Sequence, residues 1–327
     1  MNRDWVYRLA PARSPLAALG LWLAMFVLFL AKHPAGFSAN VVNTAANKAV
    51  LLALVAMAQT IPVLAGGLDL SVGMVFVLSN CLASNVLVGS SAETALGVLL
   101  VLATGIGCGA LNGALVVLGR LPPILSTLAT GSMIFGVALW LRPEPGGSIN
   151  EELADWLTGS VAEAIPRSLL LLGAVVLLVW LPYRLSVWGR AAYAIGSSTP
   201  AAYLAGIQVG RATFSTYLLA GLFASIAGLL LTCVTYTGEA NALLGGSYTL
   251  SSIAAVVIGG TSLYGGSGGA IGSVLGAFVL RTIGDLLLVF DMDPLWQPLF
   301  QGLVLLVSIA LGSLRWLGVK DRLELYR

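Results

Sequence analysis

Ten apolar runs, parted by short polar or glycine- and proline-rich breaks, fill most of this chain. They are Pro15–Ala31, Ala49–Gly67, Ser71–Gly89, Thr94–Gly119, Pro122–Leu141, Ser168–Pro182, Thr213–Val234, Tyr248–Tyr264, Gly268–Phe290 and Trp296–Ser313. About 20 apolar residues suffice to cross a bilayer as a helix, so the pattern predicts an all-α, polytopic membrane protein with about ten transmembrane helices in one domain, residues 1–327. Only three residues part the second and third runs. The stretch Ala49–Gly89 therefore reads either as two full spans or as a broken, re-entrant helix whose break, Gly66-Gly67, exposes backbone to a cavity.

Composition agrees with the pattern. The chain of 327 residues is 58% hydrophobic and 9% charged, with a mean hydropathy of +0.96, whereas soluble domains carry about 25% charged residues. A net charge of +2 without a basic cluster gives no sign of a nucleic-acid partner. Cys81, Cys108 and Cys233 fall inside apolar runs and read as reduced packing residues. Although Arg3, Arg8 and Arg13 precede the first run as in a signal peptide, its apolar core is too long and lacks a small-x-small cleavage site, so it reads as an uncleaved span.

Ten spans place both ends on one side. That side collects Arg3, Arg8, Arg13, Arg120, Arg184, Arg190, Arg211, Arg315, Lys320, Arg322 and Arg327. The other holds Lys32, Lys48, Arg142 and Arg167 among a larger set of carboxylates that includes Glu93, Glu151, Glu152, Asp155 and Glu239. The positive-inside rule then puts both termini in the cytoplasm, residues 142–167 outside and residues 183–211 inside. The outer loop holds a possible short helix, Asn150–Leu157.

Two glycine series hint at an internal repeat. Gly105, Gly109 and Gly113 recur every fourth residue in the fourth run, and Gly268, Gly272 and Gly276 in the ninth. Small residues so spaced let helices approach closely. A unit of five helices would relate two halves of inverted topology. The alternative is that glycine is merely frequent here.

The polar groups within the apolar runs are few. Asp69 stands in Val63-Leu-Ala-Gly-Gly-Leu-Asp-Leu-Ser-Val-Gly73. An aspartate at membrane depth is costly and marks a water-filled path or a partner, unless it occupies a short aqueous turn between spans. Asp69, Ser71, Asn80 and Asn112 are the candidates for a translocation path or its gates, with an interhelical hydrogen bond the competing role for Asn112. Asp285 can pair with Arg281 one helical turn away.

Several chemistries find no support. No G-x-x-x-x-G-K-[ST] loop occurs, so nucleotide hydrolysis would belong to another chain. A lone histidine, His33, and no cluster of metal-ligand spacing argue against a metalloenzyme. No catalytic residue and no cofactor of its own are expected.

The inner connection 183–211 differs from a solvated linker. In Thr199-Pro-Ala-Ala-Tyr-Leu-Ala-Gly-Ile207, Thr199 can cap a helix, Pro200 suits its first turn and Gly206 can end it. Ala201, Leu204, Ala205 and Ile207 give it an apolar side, suited to a partner's groove or to the inner rim of the bundle.

Four segments together resemble the permease subunit of bacterial ATP-binding-cassette sugar importers of the ribose, xylose and galactose type. They are Ala65–Gly73, Gly109–Val116 with Leu121–Thr130, Gly189–Ile207 and Ile253–Gly266, in order over nearly the whole chain. The resemblance implies a permease dimer, homo- or heteromeric, in the inner membrane, two cytoplasmic ATPase domains that hold ATP and Mg, and a periplasmic sugar-binding protein. It also implies that the inner loop meets the ATPase, through Gly189, Arg190, Tyr193, Gly196, Thr199, Pro200, Ala201, Leu204, Gly206 and Ile207. One departure stands out: Thr249 and Ser251 occupy positions where such permeases commonly carry acidic residues, and the usual basic residue near Gly266 is missing. Competing readings are a permease for branched-chain amino acids or nucleosides, and a self-contained secondary carrier.

Overall fold

The structure, a computed structural model, describes residues 13–304 and 306. Its helices are α1 (Arg13–Lys32), α2 (Ala39–Leu64), α3 (Val72–Val86), α4 (Ser91–Val117), α5 (Pro123–Leu141) and α6 (Glu151–Thr158), then α7 (Arg167–Leu185). They continue as α8 (Val187–Ser197), α9 (Thr199–Leu204), α10 (Val209–Thr235), α11 (Ala242–Ile258) and α12 (Ala270–Val289). A last helix, α13, starts at 297 after a 3-10 turn, Pro294–Trp296. Seven of these are long and apolar enough to cross a membrane, while α3 and α11 are shorter apolar helices. The protein is thus a polytopic helical membrane protein. The part of the tenth run beyond 306, and the basic residues at 3, 8 and 315–327, lie outside the described residues.

Within the described residues each predicted run coincides with a helix, but several edges move for reasons visible in the packing. Helix α2 begins ten residues before its apolar run, because Ser38 caps it and Asn43 and Asn47, which interrupt the hydropathy, each donate a hydrogen bond to the Thr158 carbonyl at 2.8 Å. Helix α4 starts at a capping box in which the Ser90 hydroxyl and Glu93 carboxylate serve each other's backbone N–H groups. Helix α11 starts six residues early and ends at Ile258, before Gly260 turns the chain at φ +82°. In the outer loop, Asn150 caps α6 by accepting from Leu153 N at 3.0 Å. Midway along α7, Val176–Trp180 widens into a π-turn.

The core is a pair of long helices, α2 and α10, each crossed by a short one. Helix α10 packs on α4, α2 and α3, and α2 on α12, α10 and α11. Exchanging α2 with α10, α3 with α11 and α4 with α12 maps these pairings onto one another, and α3 with α4 matches α11 with α12. Gly67, just past the end of α2, lies against Tyr217 near the start of α10, so the two central helices run in opposite directions. The halves are therefore inverted about the centre. Helices α1 and α7 break the relation, since α1 packs on α12 whereas α7 packs on α2.

The glycine series take part in this packing but do not trace the repeat. Helix α4 presses Gly105, Gly109 and Gly113 on α10, where an added Cβ would meet the Gly221 carbonyl, the Tyr217 carbonyl and the Phe214 ring. The inverted relation would aim the second series at α2. Instead Gly272 and Gly276 meet Gly259 and Ala255 at the end of α11, and Gly268 precedes α12 as a loop residue at φ +111° against Thr261.

Candidate functional site

The chain between α2 and α3 is the first unusual feature. Pro62 sits in the last turn of α2, and its carbonyl accepts from both Ala65 N and Gly67 N, at 3.0 and 2.9 Å. Gly66 takes φ +80°, a conformation glycine adopts without strain, and the helix stops there. Residues 65–71 leave the helix and α3 starts as a separate, largely buried helix, so the stretch Ala49–Gly89 is interrupted at Gly66-Gly67.

Asp69 lies in that break, 2% exposed. Its Oδ1 accepts from Ser71 N at 2.9 Å and Ser71 Oγ at 2.6 Å, and its Oδ2 from Asn112 Nδ2 at 3.4 Å. Asn112 also donates to Ser71 Oγ at 2.7 Å and accepts from Thr130 Oγ1 through its carbonyl oxygen. Thr127 Oγ1 accepts from Leu70 N at 3.0 Å. A closed polar knot thus ties the break to α4 and α5. The bonds of Asn112, Thr127 and Thr130 join segments that apolar packing alone would leave free to slide.

Asn80 belongs to a second knot at the other end of α3. Its Nδ2 donates to Thr232 Oγ1 at 2.9 Å and to the Thr237 carbonyl at 3.1 Å, and its Oδ1 accepts from Glu239 N at 2.9 Å. Asn80 thereby fixes the α10–α11 connection, the counterpart of the α2–α3 break. The four candidate residues therefore fall into two groups, each holding one of the two central breaks. Between them, Gly73 and Gly245 bring α3 and α11 into backbone contact, and Thr249 Oγ1 accepts from Gly73 N at 3.1 Å.

The knot around Asp69 yields a first prediction. Asp69→Ala strands the Ser71 N–H, the Ser71 hydroxyl proton and one of the two Asn112 amide protons, at about 1–3 kcal/mol for each unmet buried donor. Asp69→Asn retains an oxygen for both Ser71 bonds. The alanine variant should melt several degrees lower in detergent than the asparagine variant. Equal melting temperatures for Asp69→Ala and the parent protein would show that the knot does not hold the break.

The 183–211 loop seats on the bundle next to this break. Ser186 caps α8, and Gly189 abuts the Tyr183 carbonyl. An added Cβ on Gly196 would stand 2.1 Å from the Leu64 carbonyl and 2.4 Å from Gly266 N, so the end of α2, α8 and the 259–269 loop share one backbone junction. Tyr193 strengthens it, donating to the Gly268 carbonyl at 2.8 Å. Gly189, Tyr193 and Gly196 thus face the bundle, while Arg190 only reaches back to Ser186 O at 3.4 Å.

Beyond the junction the chain turns outward. The cap of α9 is Ser198, whose hydroxyl accepts from Ala201 N, and Thr199, expected as the cap, instead bonds Ile195 O as the first helical residue. Pro200 occupies the first turn and Gly206, at φ +79°, follows the end. Ile207 packs inward with Ala202 against Ala191, Ile195 and Ala212, so it does not share the free apolar side expected of it. That side consists of Ala201, Leu204 and Ala205 with Tyr203; Tyr203 is 72% and Leu204 86% exposed.

Thr127, Thr130, Thr232 and Thr237 escaped the sequence reading. Ser126, Thr127 and Thr130 do form a polar stripe on otherwise apolar α5, a signal that was available. Asp285 pairs with Arg281 at 3.4 Å, as spacing predicts. Among the described residues no cluster of metal ligands occurs.

Comparison with known proteins identifies this inverted pair of helical halves, with its two central breaks and its seated 183–211 loop, as a membrane transport permease. The chain belongs to the family described as branched-chain amino acid transport system / permease component, whose model matches residues 41–309. It is 31% identical to the fructose import permease protein FrcC of Rhizobium meliloti, over 93% of this chain and 86% of that one. It is 32% identical to the ribose import permease protein RbsC of Bacillus subtilis, over 90% of each, and 30% identical to RbsC of Escherichia coli K12, over 89% and 91%. The resemblance carried by the four segments thus holds across the chain. No solved structure matches it.

Proposed function

We propose that this chain is the membrane-spanning subunit of an ATP-binding-cassette importer that moves a monosaccharide or related polyol inward across the bacterial inner membrane. The observation that carries this reading is the similarity to fructose and ribose import permeases over about nine-tenths of the chain. A second permease, a cytoplasmic ATPase that holds ATP and Mg, and an external sugar-binding protein complete the system. The charge bias supports cytoplasmic termini: Arg120, Arg184, Arg190 and Arg211 gather at the end of the bundle that holds α8 and α9.

In this scheme tight sugar recognition belongs to the binding protein, and the permease offers a weak path that opens alternately. The knots of Asp69, Ser71 and Asn112, and of Asn80, act as gate elements by holding the two breaks. Helix α9 docks in a groove of the ATPase, and Gly196 relays its movement to the break.

The test is uptake of radiolabelled ribose and fructose by cells that make the permease with or without its ATPase and binding protein. Uptake is expected only with all partners present. Uptake by the permease alone, abolished by collapsing the proton gradient, would establish a secondary carrier instead. In the same cells, Ser198→Cys should escape an impermeant thiol reagent; labelling from outside would reverse the orientation.

A further inference from the structure

A cavity of about 230 Å³ opens between α11, α12 and α13. The polar side chains of Ser247, Ser251, Arg281, Gln297 and Gln301 line it together with the apolar Leu52 and Pro298. Ser251 Oγ donates to Gln301 Oε1 at 3.2 Å. Gly284, lacking a side chain, leaves room for the Gln297 amide, whose atoms lie 3.0 Å from where a Cβ would stand. The Arg281 Nε is buried without a hydrogen-bond partner, although an Nη of the same group holds Asp285.

The inverted halves sharpen this. The corresponding helices of the first half, α3, α4 and α5, meet at Ser71, Asn112, Thr127 and Thr130, all under 2% exposed and hydrogen-bonded to one another or to the break. One junction is closed and satisfied. Its counterpart stays open, a cavity lined by amides, hydroxyls and a guanidinium. Ser251, one of the two departures from the sugar-permease pattern, forms part of that wall.

We infer that this cavity is a transit site for a neutral, polyhydroxylated solute, an inference that rests on the sugar-permease reading and locates its path. The charge of Arg281 is balanced by Asp285 one turn away, which leaves neutral donors and acceptors to meet the solute. Two carboxamides and two serine hydroxyls offer both roles at close spacing, as vicinal hydroxyls require. A branched-chain amino acid would instead need partners for its ammonium and carboxylate and a dry apolar pocket. Since Ser251 and Gln301 already bond each other, a sugar displaces one contact to make another, which keeps binding weak and release fast.

The experiment uses the whole transporter in proteoliposomes, with radiolabelled ribose and fructose as probes. Gln301→Ala and Ser251→Ala should lower the maximal flux roughly fivefold to tenfold, the effect of about one hydrogen bond. ATP hydrolysis stimulated by loaded binding protein should persist, and Ser251→Thr should restore flux. Independently, saturating sugar should slow thiol labelling of Ser247→Cys, an exposed lining position, in vesicles whose residual flux is measured in parallel. Normal flux in both alanine variants, or labelling of Ser247→Cys that ignores sugar, overturns the transit site. Parent vesicles that move neither sugar overturn the sugar-permease reading itself, a result distinct from failure of the variants alone.

Discussion

Gly221→Val should prevent the permease from accumulating as a folded protein, whereas Gly107→Val in the opposing helix should leave it intact. At Gly221 an added Cβ would stand 2.0 Å from the Gly105 carbonyl and 3.0 Å from Gly109 N, so the clash is with backbone that cannot rotate away. A β-branched side chain there must push α4 and α10 apart along their whole contact. Overpacking of a close-packed interior costs about 1–3 kcal/mol even when side chains can yield, and here only helix displacement can relieve it. Gly107 lies on the same turn of α4 as Gly105 yet has nothing within 4 Å of its Cβ position. Fluorescence-detected gel filtration of the two variants in detergent gives the comparison. A monodisperse, normally abundant Gly221→Val protein would mean that the α4–α10 approach is not needed for the fold.

The same contact shows what the chain discloses about itself. Span positions were legible because hydropathy acts locally: each run of apolar residues became a helix, and the Gly66-Gly67 pair marked the break, since few other residues accept φ +80°. Edges were less legible where polar residues remain helical by bonding a distant partner. Asn43 and Asn47 look like a loop until the Thr158 carbonyl, more than a hundred residues away, accepts from both. Partnership between Asp69 and Asn112, 43 residues apart, is likewise a product of helix packing that no spacing rule gives. The glycine series misled in a particular way. Equal spacing showed that α4 and α12 carry small-residue contacts, but which neighbour fills each groove depends on the rotation of the helix, and Gly272 turned toward α11 rather than α2.

Helix α9 is where the largest functional loss is expected, and Leu204→Asp is the substitution that should produce it. Leu204 is 86% exposed and Tyr203 72%, on a helix held in place from behind by Ala202 and Ile207. An aspartate at 204 therefore costs the isolated permease almost nothing, and its melting temperature in detergent should match the parent's. If α9 docks in an ATPase as proposed, the same carboxylate would enter an apolar contact in the assembled importer, where an unpaired charge is poorly tolerated. Loss of about 1.4 kcal/mol of docking energy already weakens the contact tenfold, so ATP-driven uptake should fall by that factor or more. The junction at Gly196 makes a second arm possible. Tyr193→Phe, which removes the hydrogen bond to the Gly268 carbonyl at that junction without adding bulk, should leave the outward face of α9 chemically unchanged but loosen its tie to the break. Leu204→Asp should thus lower the amount of ATPase that copurifies with the permease, while Tyr193→Phe should retain more ATPase and still lose part of the sugar-stimulated hydrolysis. Full retention and full stimulation in Leu204→Asp would remove α9 from the coupling path.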